Sequence, residues 1–128
     1  MWTDRFNPDE GVIWVAVHLF GPADDRWFRF VLDTGTPMTT IDTGIMDSLG
    51  YGAHMATRRS RAVGVGGAES GYLLPISRID AMGSSVSGLE VSCTELPTWM
   101  GVDGLVGMDL LRGHVLVLDC THGVLRLD

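Results

Sequence analysis

Asp33 stands at the end of an apolar run, Phe28-Arg29-Phe30-Val31-Leu32, and is followed by Thr34 and Gly35. Runs of this kind are usually buried strands. A carboxylate at the end of one is costly unless something stabilises it. Gly35 lets the backbone turn sharply just past the acid. These residue types suit acid–base chemistry. Two carboxylates held close together cannot both ionise, so one acts as a base on water while the other holds a proton to give. The Asp33 loop supplies one such acid.

Asp42-Thr43-Gly44 repeats the triplet nine residues on. That interval is too short to build a second strand-and-turn cradle. Asp42 is therefore expected to cap a helix, a role worth ~1 kcal/mol. Asp103, just before Gly104, is expected to serve a cap or a turn. Other chemistries lack their residues. His18, His54, His114 and His122 show no metal-ligand spacing, and Cys120 with His122 lacks further ligands nearby, so no metal or other cofactor is expected. No Ser-centred nucleophile elbow occurs. Gly64-Val65-Gly66-Gly67 lacks the spacing of a phosphate loop, and no helix follows it.

The elements that must position these residues are mostly short strands. Glycines mark turns every ten or so residues, and β-branched runs lie between them, which predicts an all-β barrel or sandwich. A strand is expected over residues 12–20, with residues 26–32 returning antiparallel after the Gly21-Pro22-Ala23-Asp24-Asp25 turn. Residues 39–41 extend briefly. A short helix then runs from its Asp42 cap to Leu49, with Ile45, Met46 and Leu49 on one face and Gly50 closing it. A long hairpin follows, out over residues 55–63 and back over 72–79, turning at residues 64–68. Another strand is expected over 86–95, a loop at 97–101, an apolar-apolar-Gly turn at Leu105-Val106-Gly107, and a short helix over 108–112. Residues 115–119 and 124–127 form a closing hairpin.

The totals narrow the class. The 128 residues fit one domain, spanning 1–128, large enough to bury roughly two-thirds of its unfolded surface. A net charge of −7, with nine Arg and no Lys, argues against a nucleic-acid partner. The one basic knot, Arg58-Arg59-Ser60-Arg61, reads as a solvated strand end. No apolar run reaches membrane-spanning length, and Met1-Trp2-Thr3-Asp4-Arg5 lacks the shape of a signal peptide. Cys93 and Cys120 are too few for a disulfide scaffold and are expected as reduced, buried thiols in a cytoplasmic protein. Trp2, Trp14, Trp27 and Trp99 are expected in the core or an interface.

Taken in order, the Asp33-Thr34-Gly35 strand end, the mid-chain glycine hairpin and the segment Asp103-Gly104-Leu105-Val106-Gly107-Met108-Asp109-Leu110-Leu111 resemble the retropepsin-like aspartic proteases, especially their single-domain bacterial relatives. The resemblance covers residues 12–127. It implies a closed acid-protease β-barrel with short helices, active as a homodimer, in which Asp33 of each copy together activate a water to hydrolyse a peptide bond. Thr34 then bonds across the two-fold axis, and Gly35 permits close approach of partner and substrate. Val65, Gly66 and Gly67 form a flap over the peptide, and Leu105, Val106 and Gly107 pack beneath the Asp33 loop. Trp99 and Met100 can line a substrate subsite. Dimer closure is expected from the chain ends, chiefly through Val115-Leu116-Val117-Leu118.

One departure stands out. Where retroviral enzymes carry an acid and, later, an Arg that pairs with it, this chain has Pro37 and Met108. Pro37 has no N–H to offer a peptide, so the peptide is held differently or more weakly on that side. The alternative reading is a non-catalytic dimerisation or peptide-binding module of the same fold.

Overall fold

The computed structural model describes residues 1–64 and 67–128, and the side chains outside 60–70. In chain order the elements are β1 (Trp2–Arg5), β2 (Trp14–Phe20), β3 (Asp25–Leu32), β4 (Thr40–Asp42), α1 (Thr43–Ser48), β5 (Arg58–Gly64), β6 (Gly67–Pro75) and β7 (Arg78–Ala81). Then come β8 (Ser84–Val86), β9 (Glu90–Thr94), β10 (Gly104–Val106), α2 (Met108–Leu111), β11 (Leu116–Asp119) and β12 (Val124–Leu127). Single 3-10 turns lie at Ala53–Met55 and Thr98–Met100.

Nine strands pair in the order β5-β6-β9-β4-β10-β3-β2-β7-β8, and the chain ends form a second sheet, β1-β12-β11. Strand alternation explains the core. Val15, Val17 and Leu19 of β2 are buried while Ala16 and His18 face outward, as the two-residue period requires. One buried cluster takes Tyr72 and Leu74 from one end of the row and Ile79 and Ala81 from the other. The row therefore curls around a single core.

Several expectations hold. β2 and β3 pair antiparallel. Asp42 caps α1 by accepting from the Gly44 N–H, and Met46 and Leu49 are buried beneath the helix. β11 and β12 form the closing hairpin.

Others need correction. The first strand begins at Trp14 rather than Val12. The mid-chain hairpin stays paired out to Gly64 and Gly67, beyond the strand ends expected at Val63 and Tyr72. Ile79 belongs to β7, which pairs with β2 and not with β5. The strand expected over 86–95 is interrupted at Gly88, whose φ is +71°, but β8 and β9 on either side continue one hairpin, pairing with β7 and β6 in the same register. Of the run 28–32 only Phe30 is fully buried, while Val31 and Leu32 border an open cleft. Cys93 is buried, but Cys120 is exposed in the turn after β11. Of the two places expected for the tryptophans, core or interface, none is in the core: Trp2 and Trp14 are half-buried, Trp27 and Trp99 exposed. Among the described residues no helix is long and apolar enough to cross a membrane.

Candidate active site

Asp33 leaves the end of β3 and is fixed before its carboxylate is considered. β10 runs parallel to β3, pairing Leu105 with Val31 and Val106 with Leu32. The Asp33 N–H donates to the Val106 carbonyl at 2.9 Å. The chain then turns back on the acid. The Gly35 N–H donates to Oδ1 at 2.9 Å and the Thr36 hydroxyl to Oδ2 at 2.7 Å. Each carboxylate oxygen thus has a neutral donor, and hydrogen bonds to a charged acceptor are the stronger kind.

The apolar-apolar-Gly turn packs against this loop. A side chain at Gly107 would come within 2.6 Å of the Met38 backbone and 2.8 Å of the Thr36 carbonyl oxygen. Only glycine permits so close an approach. Gly104 is equally constrained, since a Cβ there would lie 2.5 Å from the Phe30 ring. The Met108 N–H donates to the Thr36 carbonyl at 2.8 Å, which holds the residue whose hydroxyl reaches Asp33.

A second tie lies one residue on. Thr39 is fully buried. Its N–H and hydroxyl donate to the Asp109 carboxylate at 2.9 and 2.7 Å, and its hydroxyl oxygen accepts from the Gly107 N–H at 3.2 Å. Sequence reasoning missed the roles of Thr36, Thr39 and Asp109. A hydroxyl three residues past Asp33 and an acid in the first turn of α2 were the available signals.

Of the remaining expected residues, Thr34 and Gly35 are exposed on the outer side of the loop. Val65 and Gly66 lie outside the described residues, while Gly67 opens β6. Pro37 is exposed and Met108 is 38% exposed. Asp103 does not cap a helix. Its carboxylate accepts from the Arg29 N–H at 3.2 Å and its carbonyl from the Asp42 N–H at 3.0 Å, joining β3 to β4 across the strand between them.

Asp33 opens into a cleft of about 770 Å³, the size of a ligand site. Its walls are largely apolar, with Ile13, Val31, Leu105, Trp99 and Met100, and Glu10 at one side. Trp99, 84% exposed, and Met100 line the same cleft as Asp33. Among the described residues no group of three His, Cys, Asp or Glu side chains could hold a metal ion.

An Asp-Thr-Gly loop seated on an apolar-apolar-Gly turn in a mostly-β fold defines the retropepsin-like class of aspartic proteases. The family model described as "Aspartyl protease" matches residues 21–110, and the chain belongs to that family. Solved structures agree on the fold. A retropepsin-like aspartic protease from Rickettsia conorii superposes with a TM-score of 0.72 at 16% identity, over 98% of this chain and 96% of that one. The retroviral protease-like domain of Ddi1 from Leishmania major gives 0.64 at 17% identity, over 94% and 90%. EIAV protease, complexed with the inhibitor HBY-793, gives 0.63 at 22% identity, over 88% and 99%. No curated protein matches the chain.

Proposed function

We propose that the chain is an aspartic endopeptidase, active as a homodimer in which Asp33 of each copy shares one proton with the other and activates water against a peptide bond. The observation that carries this reading is the state of the Asp33 carboxylate. It is oriented by two neutral donors and opens into an apolar cleft, whereas Asp42, in the same triplet, is committed to backbone groups. One such acid cannot both take and give the required protons, so a second copy must supply the other.

In this reading the whole chain works as one domain, with its row of strands closed into a barrel. Exposed Thr34 and Gly35 meet their counterparts across the two-fold axis. Leu105, Val106 and Gly107 brace the loop, and Val65, Gly66 and Gly67 close over the substrate. The second copy docks against β11. This strand is an open edge of the chain-end sheet, and Val115 beside it and Leu118 within it are 61% and 39% exposed. The opposite edge, β1, instead exposes Thr3, Asp4 and Arg5. The protein acts on peptides or proteins in the cytoplasm without a cofactor.

Incubation with a diverse peptide library between mildly acid and neutral pH, with sedimentation of the same samples, tests this. Cleavage by a dimer, abolished in Asp33→Asn, is the expected result. A folded dimer that cleaves nothing would instead identify a non-catalytic dimerisation or peptide-binding module.

A further inference from the structure

The cleft at Asp33 does not end there. Phe6, Glu10, Val12 and Trp14 belong both to that cleft and to an adjoining hollow of about 400 Å³. Asp4 and Ala16 join this second hollow to a third, of about 460 Å³. The three form one trough over the outer face of β2 and β3, walled on the far side by β1 and the segment after it. Ala16, the small residue of the outward row Trp14, Ala16, His18, forms its floor.

The far end has a definite chemistry. Trp2 and Trp27 line it with Asp4, Asp80, Ser84 and Ser85; the basic side chain beside it, Arg78, is already engaged by Asp80 and Ser85. Trp27 is 63% exposed, a large apolar surface to leave in water, and tryptophan is a residue type that anchors partners. Nearby aromatics already carry cations: Arg29 lies 4.5 Å over Trp14 and Arg78 4.7 Å over Phe20. Among the described residues no cation lies over Trp27, whose ring has the tilted His18 ring beside it at 4.7 Å. Asp80 is held by Arg78, but Asp4 has no ion-pair partner among the described residues. The wall is also rigid. Trp2 sits against Gly83, and Met82 in the same turn is held at φ +51°, a conformation a side-chain-bearing residue adopts only when its surroundings impose it.

We propose that this trough is an exosite for the flank of the substrate polypeptide, and that its far end takes a lysine or arginine side chain. The inference rests on the peptidase reading. Charge and aromatic faces suit a cation, and continuity with the Asp33 cleft suits a segment of the same chain being cut. Trp27 lies six residues before Asp33 on β3. At about 3.3 Å per residue the separation is roughly 20 Å. The basic residue is therefore about six positions from the scissile bond in an extended peptide.

Two measurements test it. A peptide cleaved in the library is made bare, with six-residue Gly-Ser flanks, and with the same flanks ending in arginine or in glutamate. The arginine flank should lower KM about fivefold against the Gly-Ser flank, and Trp27→Ala should bring the two to the same value. Independently of turnover, the four tryptophans give four indole N–H resonances. N-acetyl-arginine amide, added at millimolar concentration, should shift those of Trp2 and Trp27 and leave Trp99 in place, whereas N-acetyl-glutamine amide should shift neither. Cleavage without a flank effect, or arginine and glutamine probes of equal effect, overturns the exosite and leaves the peptidase intact. Indole shifts in a protein that cleaves nothing keep the cation site but overturn its role as a substrate exosite, together with the peptidase reading.

Discussion

Asp33-Thr34-Gly35 and Asp42-Thr43-Gly44 are the same three residues, each at a strand end, and they begin alike. In both, the glycine N–H two residues on donates to the carboxylate, at 2.9 Å to Asp33 and 3.0 Å to Asp42. They part at the other oxygen. For Asp42 it accepts the Leu96 N–H at 2.9 Å, and a helix follows. For Asp33 it accepts the Thr36 hydroxyl, and Pro37 follows, which disfavours helical backbone at Thr36. The triplet therefore specifies only a turn in which a carboxylate folds back on its own chain. Whether that carboxylate becomes a structural cap or faces a cleft depends on residues outside the triplet.

The comparison can be broken most decisively at its ends. Asp33→Ala should reduce kcat about a thousandfold or more, as loss of an acid–base group does, with unfolding free energy changed by less than about 1 kcal/mol. Steady-state kinetics beside urea denaturation would show this, and comparable activity in the variant would refute the distinction. The next largest effect concerns the support. Asp109→Ala strands the buried Thr39 hydroxyl and N–H and should cost about 2–3 kcal/mol. Asp109→Asn, which keeps an acceptor oxygen, should restore part of this in the same denaturation assay. Asp42→Ala should cost about 1–2 kcal/mol and leave kcat near the parent value, the reverse of Asp33→Ala.

A further effect, confined to alkali, lies beside the Asp42 triplet, where Cys93 pairs with Ile41. Burial pushes the Cys93 thiol from about 9 to about 12, and burial likewise raises Tyr72 from 10.0 to about 12. The native chain keeps these protons while the unfolded chain loses them. Stability is full below about pH 9 and declines as pH rises toward 12. Urea midpoints across that window should fall, and Cys93→Ala should flatten the first part of the fall. An unchanged slope in the variant would mean that the thiol is not the cause.

Much of this was legible in the residues because it rests on local rules. The Asp42 cap, Gly50 behind the helix, β3 ending at Asp33 and the closing hairpin all follow from neighbours within a few positions. What was missed depends on distant partners. β1 shows no alternation of its own and exists because β12 pairs with it. Gly88 looks like any other glycine until its positive φ interrupts the strand there. The exposure of Cys120 depends on where its turn sits, which no periodicity encodes. Thr36 was hidden for another reason: its role is set by side-chain direction within a turn. Thr39 and Asp109 meet across 70 positions, and no spacing rule reaches that far.

The parallel pairing of β10 with β3 has a consequence in time. Gly104 lies opposite Phe30, and Asp103 holds the Arg29 N–H across 74 positions of sequence. Such contacts form late, because closing the intervening loop costs entropy before any pairing offsets it. The chain is expected to fold slowly, on the order of milliseconds to seconds. A chain emerging from the ribosome cannot seat Asp33 until residues 104–109 have followed it. Until then the acid stays unbraced, so the nascent chain carries an unassembled carboxylate rather than a poised one.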